Sequence, residues 1–332
     1  MPNKNTYKIP MKIAGIGIAF PSRKISSAEI EKKYGIEEGW CEKNQGIRNR
    51  YWISDEEDNT SLCSAAAENA FSNSNISAND IDMIINACNS EDSIIPDQAV
   101  LIKNRIGIKN NVPFMSIRVG CLNYIHALDI AGNLISSGKY KNILILSTII
   151  ASKGFFNKDD ILSVSMLGDV SAATIVTKPL DNEDSCIQTV FAQTYSDASD
   201  ASKLNGDENN ETFFSKDVKE EDIFFSFDSK LMQVSGAKYN SGFIDRVVGK
   251  MSKDIDWIVP NQSTKLAVNM TKLKFGKDKI LSVIEDFGNI GAVGYPVAMY
   301  YAINEGKLKR GDRILLCGIG AGLSLAGILF KY

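Results

Sequence analysis

The sequence contains a single histidine, His126, among 332 residues. Metal sites built from several histidines are therefore excluded, and a Cys-His or Ser-His mechanism must use His126 or proceed without histidine. The six cysteines form no Cys-x-x-Cys pair, so a structural zinc site is not expected either. Reduced, buried thiols are the simpler expectation, and they indicate a cytoplasmic protein.

Long hydrophobic runs and an excess of one charge are also missing. No segment reaches the about 18 consecutive apolar residues of a membrane span, and residues 1–10 lack the apolar run of a signal peptide. The formal net charge is −3, from 37 basic and 40 acidic residues, so neither nucleic acid nor a membrane is an expected partner. The length and the 44% hydrophobic content allow one large core or two fused half-size units.

Apolar runs rich in Ile, Leu and Val alternate with longer helical patterns. Continuous apolar strands separated by helices predict an α/β fold with a mixed sheet that is covered on both faces. The predicted strands are Met11–Phe20, Ile81–Ala87, Pro113–Val119 and Asn142–Ser147, and the predicted helices are Asn59–Phe71, Pro96–Ile106 and Leu122–Ser137.

The chain nearly repeats itself. IDMIINACNS at 81–90 resembles IDWIVPNQST at 255–264. SSGKYKNILIL at 136–146 resembles NEGKLKRGDRILL at 304–316, with Gly138 aligned to Gly306, and the two pairs of segments are separated by nearly the same length of chain. Chance similarity between short apolar strands is one explanation, and a duplicated fold is the other.

A duplication predicts two halves, at 1–180 and 181–332. Near their junction, residues 196–222 are polar and highly charged, which is typical of a surface excursion. When Gly138 is aligned with Gly306 without gaps, Cys121 falls on Asn289, and each of these residues precedes a predicted helix. If the halves pack about a pseudo-twofold axis, the two helix starts face one pocket that contains a thiol and a carboxamide.

Cys121 follows a predicted strand and opens a predicted helix, so it is either a nucleophile or a small core residue. The free N–H groups and the dipole of a helix start favour the thiolate, and a neighbouring cation lowers the pKa of a cysteine further. Arg118, three residues upstream, could supply that charge, although a structural ion pair is the favoured role for it.

Six segments of the chain form an ordered set. The segments are GWCEKNQGIRNRYW at 39–52, DIDMIINA at 80–87, GCLNYIHALDIA at 120–131, LGDVSAATIV at 167–176, FGNIGAVGYPVAM at 287–299 and GDRILLCGIGAGLSLAGILF at 311–330. Together, and in this order, they resemble the β-ketoacyl-acyl-carrier-protein synthase III family of the thiolase-like superfamily, and the similarity runs from about Met11 to the C-terminus. The resemblance implies a thiolase fold, with two duplicated halves packed as a five-layered α-β-α-β-α structure.

The family resemblance also implies a Cys-His-Asn catalytic set. Cys121 matches the nucleophile, and Asn289 in Gly-Asn-x-x-Ala matches the asparagine. The histidine of the family lies in a Pro-His-Gln segment, which here reads VPNQST, so Asn261 takes its place. Asn261 can donate an N–H to a thioester oxygen but cannot accept the thiol proton as a base. His126 lies about 140° around the helix from Cys121, so a structural or pocket-wall role is expected for it.

The resemblance extends to substrate-binding residues. Trp40 matches a residue that contacts the adenine of coenzyme A, and Arg48 lies in the same stretch. The family's phosphate-binding arginine is absent, but Lys265 is adjacent to its position. Gly320 belongs to a tight glycine-rich turn expected near the active site. Acyl-coenzyme A, or phosphopantetheine on an acyl carrier protein, is implied as substrate, with no separate cofactor and no metal.

Three functions remain open. The first is condensation of an acyl-Cys121 intermediate with a malonyl-type thioester in fatty-acid, polyketide-like or specialised biosynthesis. The second is acyl transfer to an oxygen, nitrogen or sulfur acceptor without decarboxylation, which tolerates loss of the histidine. The third is a weakly catalytic subunit that supports a homologue in a heterodimer. Family members are usually homodimers, and Asp92–Gln98 would then close the pocket of the partner.

Overall fold

A computed structural model describes residues 8–109, 111–153, 160–205, 224–240 and 242–332. Of the predicted polar excursion, residues 196–205 form a 3-10 turn and a short strand, whereas residues 206–222 lie outside the described part.

The strands of the described residues are β1 (Ile9–Pro10), β2 (Lys12–Ala19), β3 (Arg23–Ser26), β4 (Asn49–Trp52), β5 (Met83–Asn86), β6 (Phe114–Ser116), β7 (Asn142–Ile149), β8 (Val170–Thr177), β9 (Cys186–Thr194), β10 (Ser202–Asn205), β11 (Phe224–Phe227), β12 (Trp257–Pro260), β13 (Arg313–Gly320) and β14 (Ser324–Lys331). The helices are α1 (Ser27–Tyr34), α2 (Trp40–Gln45), α3 (Asn59–Ser72), α4 (Gln98–Arg105), α5 (Asn123–Ser136), α6 (Ile161–Met166), α7 (Ser229–Asn240), α8 (Phe243–Val248), α9 (Lys265–Phe275), α10 (Ile284–Phe287) and α11 (Gly294–Asn304). All seven elements predicted above are present, with ends shifted by a few residues.

Two mixed sheets share an arrangement of four strands. The first sheet is ordered β2-β8-β7-β5-β6, and the second is ordered β1-β9-β14-β13-β12. Strands β8 and β14 each run antiparallel to both of their neighbours, and the next two strands, β7 and β5 in the first sheet and β13 and β12 in the second, run parallel to each other. Thus β2-β8-β7-β5 corresponds to β9-β14-β13-β12, which confirms the duplicated α/β fold.

The two sheets and the helices packed on them form five layers. Helix α3 packs on the outer face of the first sheet, and α8 packs on β9 and β14 of the second. Helices α5 and α11 lie between the sheets, because each contacts strands of both. The apolar core is continuous through this middle layer, since one cluster joins buried residues of α5 and α11 to strands of both sheets. The predicted α-β-α-β-α architecture is therefore present.

Each sheet takes its strands from one continuous part of the chain, with one exception. The first sheet uses residues 12–177, and the second uses residues 186–331 together with β1 at Ile9–Pro10. The division at residue 180 stays a prediction. None of the helices in the described part of the chain has the length and hydropathy of a membrane span.

The two central helices differ in length, which corrects the predicted equivalence of Cys121 and Asn289. The 3-10 turn Gly120–Leu122 precedes α5, and the turn Gly291–Val293 precedes α11. Helix α5 has 14 residues and α11 has 11. When the C-terminal ends of the two helices are aligned without gaps, their first residues are therefore not aligned with each other. Aligning the two turns instead pairs Cys121 with Ala292, and Asn289 lies three residues earlier.

Candidate active site

Cys121 lies in a 3-10 turn between β6 and α5, held by the side chain of Asn123. The Asn123 carboxamide accepts the N–H of Val119 and donates to the carbonyl oxygens of Ala87 and Cys88, at 3.2 Å each. Asn123 is fully buried, so its three hydrogen bonds tie the turn to the end of β5. The thiol therefore lies on a turn that buried hydrogen bonds anchor to the neighbouring strand.

Cys121 is half-buried, and the thiol is largely withdrawn from solvent. Burial raises the pKa of Cys121, and the Asn261 carboxamide beside the thiol only partly opposes that rise. The expected cation does not act on it, because Arg118 is 65% exposed and pairs with Glu91 at 2.7 Å. The raised pKa is opposite to the lowering expected from a helix start, and the structural ion pair favoured for Arg118 is confirmed.

Asn261 follows β12 directly and points its carboxamide toward Cys121. Its backbone N–H donates to the carbonyl oxygen of Cys317 at 2.8 Å, which fixes the residue at the carboxyl end of the parallel pair β12–β13. Asn261 is 7% exposed, and neither Nδ2 nor Oδ1 has a hydrogen-bond partner among the described residues. Because buried carboxamides are normally paired, these two atoms are available to a ligand.

Asn289 is held between two backbone segments. Its N–H donates to the carbonyl oxygen of Met166 at 2.8 Å, and its own carbonyl oxygen accepts from Gly168 at 3.2 Å. Its side-chain Oδ1 accepts from the N–H of Gly291 at 3.0 Å. Gly288 has a φ of +69°, and a Cβ there would lie 2.6 Å from the Met166 oxygen. Only glycine therefore permits this close approach before Asn289.

The turns of the two halves meet at the end of β13. The turn that holds Cys121 packs against the turn Gly291–Val293 that follows Asn289. Gly320 lies against the first of these turns, because a Cβ on it would be 3.1 Å from the Leu122 side chain. The structure thus gathers the predicted residues Cys121, Asn261 and Gly320, with the turn after Asn289 beside them.

Two residues of this region were not predicted. Tyr295, on α11, is 1% exposed, and its hydroxyl has no hydrogen-bond partner in the described parts of the chain. Gln262 is buried, and its Oε1 accepts from the backbone N–H groups of Val283 at 2.7 Å and Ile284 at 3.0 Å. A signal for Tyr295 was present: it is the one hydroxyl-bearing residue in the small and apolar run GAVGYPVAM at 291–299.

A separate cleft of about 130 Å³ contains two of the predicted substrate-binding residues, Arg48 and Lys265. Arg48 pairs with Glu285 and Asp286, both at 3.3 Å. The Lys265 ammonium lies 3.4 Å from the carbonyl oxygen of Glu42. Trp40 starts α2 nearby and is not among the residues that line this cleft.

His126 lies within α5, and burial lowers its pKa, with Asp129 opposing the shift. The predicted structural role of His126 stays a prediction. The segment Asp92–Gln98 exposes Ile94 by 58% and Ile95 by 88%, and its role at a partner's pocket is likewise untested. Across the described residues, no group of three His, Cys, Asp or Glu side chains is arranged to hold a metal ion.

Comparison with known proteins identifies relatives along nearly the whole chain. The family model 3-oxoacyl-[acyl-carrier-protein (ACP)] synthase III matches residues 115–197, and the model of its C-terminal region matches residues 248–332. The β-ketoacyl-[acyl-carrier-protein] synthase III of Clostridium perfringens is 30% identical, over 96% of this chain and 98% of its own.

Solved structures agree with this match. The 3-oxoacyl-[acyl-carrier-protein] synthase III of Aquifex aeolicus has a TM-score of 0.86 and 25% identity, over 97% of this chain and all of its own. A histidine-to-asparagine variant of OleA from Xanthomonas campestris has a TM-score of 0.83 and 20% identity, over 97% and 98% of the two chains. The second similarity shows the thiolase fold alone.

Proposed function

The chain belongs to the 3-oxoacyl-[acyl-carrier-protein] synthase III family, a transferase family, and on that premise we propose that it works through an acyl-Cys121 intermediate. The acyl group comes from a thioester of coenzyme A or of an acyl carrier protein. Condensation with a malonyl-type thioester then extends it. The observation that carries this proposal is the contact between the half-buried Cys121 and the buried carboxamide of Asn261, whose own polar atoms are unpartnered in the described structure.

Acylation begins when the sulfur of Cys121 attacks the carbonyl carbon of the donor thioester. A new C–S bond forms, the C–S bond to the carrier breaks, and the proton of Cys121 ends on the departing carrier thiol. Because burial raises the pKa of Cys121, the thiol is mostly protonated at neutral pH. Asn261 has no basic nitrogen, so it stabilises charge by hydrogen bonding and does not remove the proton.

Condensation follows when the carboxylate of the malonyl-type thioester leaves as CO₂. The electron pair of the broken C–C bond forms an enolate, whose carbon attacks the acyl-Cys121 carbonyl. The Cys121 C–S bond then breaks, and the thiolate takes a proton from solvent. The enolate oxygen needs a hydrogen-bond donor in a dry site, and the free Nδ2 of Asn261 meets that need. Asn289, held by three hydrogen bonds, is proposed as a second catalytic carboxamide.

Carrier recognition is assigned to the cleft around Arg48 and Lys265, and Trp40, which does not line that cleft, is proposed as a further contact. Arg48 is already paired with two carboxylates, so Lys265 and the neighbouring Lys272 carry the charge that is left for a phosphate. Specialised biosynthesis is proposed rather than housekeeping fatty-acid initiation, because the chain has Asn261 where the family resemblance implies histidine. A normal family rate with acetyl-coenzyme A and a malonyl carrier would contradict that assignment.

One experiment separates condensation from its alternatives. The protein is incubated with a panel of acyl donors and malonyl carrier protein, and both the mass of the carrier and the release of CO₂ are measured. Condensation predicts a lengthened β-keto product with equal CO₂, both lost in Cys121→Ala. Acyl transfer to another acceptor without release of CO₂ would favour the non-decarboxylating function. The asparagine at position 261, where the family resemblance implies histidine, also favours that function. No product with any donor would favour a weakly catalytic subunit.

A further inference from the structure

Tyr295 places an unused hydroxyl in the site described above. The residue is 1% exposed, and its Oη has no hydrogen-bond partner among the residues that the structure describes. A buried hydroxyl without a partner costs free energy, so its retention calls for an explanation. The aromatic ring is accounted for, because it stacks on Tyr124 of α5 with centroids 6.4 Å apart. The hydroxyl is not accounted for by packing.

The hydroxyl lies beside Asn261 and near Cys121. Three neighbouring side chains affect its pKa: negative charge on Cys317 or on Cys121 would raise the pKa of Tyr295, and the Asn261 carboxamide lowers it. Burial has the largest effect and raises the pKa of Tyr295 well above its usual range. The phenol therefore keeps its proton at any pH where the protein works, and it remains a hydrogen-bond donor.

Room for this arrangement comes from Gly318 on β13. A Cβ at Gly318 would lie 2.3 Å from the Tyr295 Oη and 2.6 Å from the Asn261 Cβ. The strand thus leaves one space for two polar groups from different elements, α11 and the end of β12. The Tyr295 hydroxyl and Asn261 Nδ2 are adjacent donors in this buried region, and neither has a hydrogen-bond partner among the described residues. That pattern is characteristic of a site for an oxygen that gains negative charge.

We propose that Tyr295 is a catalytic residue whose hydroxyl, together with Asn261 Nδ2, binds the thioester oxygen of the malonyl-type substrate as it becomes an enolate. This role rests on the proposed function and adds the phenol as a further donor beside Asn261, which takes the position of the family's histidine. During decarboxylation the electron pair of the C–C bond moves to the enolate and CO₂ leaves. Tyr295 only donates a hydrogen bond and keeps its proton throughout.

The test is Tyr295→Phe, which removes the hydroxyl and keeps the ring. CO₂ release from the malonyl carrier should fall about 10²-fold, the usual effect of losing one oxyanion donor. Formation of acyl-Cys121, followed by intact-protein mass, should change by less than about threefold, because that step does not use the enolate oxygen. The melting temperature should stay the same or rise, because the hydroxyl that is lost has no partner in the described structure.

Tyr124→Phe is the matched control. Tyr124 is equally buried and stacks on the same ring, but its hydroxyl is 3.0 Å from Thr174 Oγ1 and has a structural partner. This variant should lower the melting temperature and leave CO₂ release per folded enzyme unchanged. Incorporation of 3-fluorotyrosine at position 295 restores a donor and should restore the rate.

The results distinguish two failures. A wild-type protein that forms no acyl-Cys121 would contradict the proposed function itself. If acylation is normal, a Tyr295→Phe rate of CO₂ release equal to the wild-type rate would overturn the role of Tyr295. A parallel loss of acylation, CO₂ release and melting temperature would overturn it as well, because it would show a structural role.

Discussion

A side chain at position 318 and the hydroxyl of Tyr295 exclude each other. The Cβ of such a side chain would lie 2.3 Å from the Tyr295 Oη, closer than real Cβ atoms approach another heavy atom. Gly318 does not have a positive φ, so space rather than backbone conformation requires glycine here. The contact links β13 to α11 at the point where Asn261 and Cys121 meet.

Gly318→Ala should therefore destabilise the protein by about 1–3 kcal/mol, the usual cost of overpacking a filled interior. The double variant with Tyr295→Phe should recover about 1 kcal/mol of that loss, because the nearest clashing atom is gone. Asn261 Cβ, at 2.6 Å from the added methyl, prevents full recovery. Urea unfolding of the four proteins measures the coupling, and strictly additive effects would show that the two positions do not meet.

The pH dependence of acylation follows from the raised pKa of Cys121. The attacking thiolate is scarce below that pKa, and its fraction rises about tenfold for each pH unit. Acylation by an acyl thioester should therefore increase steadily from pH 6 to beyond pH 8 without a plateau near neutrality. Stopped-flow release of the carrier thiol measures this profile. Arg118→Gln should leave the profile unchanged, because Arg118 is paired with Glu91; a shift to higher pH would contradict this account.

Asn261→His introduces a base next to the thiol. General-base catalysis contributes about 10²-fold or more, so acylation at pH 7 should accelerate and its pH profile should flatten above the pKa of the imidazole. Asn261→Ala is the control, since it should keep the steep profile and lower CO₂ release about 10²-fold through loss of a donor. An unchanged acylation rate in Asn261→His would indicate that position 261 does not reach the Cys121 proton.

Gln262 supports the site through the backbone before α10. Gln262→Met leaves the N–H groups of Val283 and Ile284 without their acceptor and should cost about 2–4 kcal/mol of unfolding free energy. Gln45 is a matched control, because it is also buried but its Nε2 donates to Ser165 Oγ at 2.7 Å while its Oε1 is unpartnered within the described residues. Gln45→Met should cost about 1 kcal/mol. Equal losses in the two variants would contradict the assignment.

Much of the fold could be predicted from local patterns. Buried strands appear as short apolar runs, so the run at Asn142–Ser147 was found as a strand, and it extends in the structure to Ile149. Likewise, a cysteine between a strand and a helix placed Cys121 on a turn. Both features depend on neighbouring residues, which a single sequence displays directly.

Features of the site that depend on distant parts of the chain could not be predicted in this way. The pKa of Cys121 is raised by burial, and its turn packs against β13 and the turn Gly291–Val293 of the second half, which no local pattern reports. The shift of Asn289 relative to Cys121 depends on the shorter helix α11, which an ungapped alignment of the two halves concealed. The unpaired hydroxyl of Tyr295 requires Gly318 and Asn261, which lie on two other elements.

The most direct test of the central claim is the intact mass of the protein after incubation with a panel of acyl-coenzyme A and acyl-carrier thioesters. Cys121→Ala is compared with the wild type and with Cys186→Ala, which removes a thiol of strand β9. The account predicts one acyl adduct on the wild type and on Cys186→Ala, and none on Cys121→Ala. An adduct of equal occupancy on Cys121→Ala, or no adduct on the wild type with any donor, would contradict it.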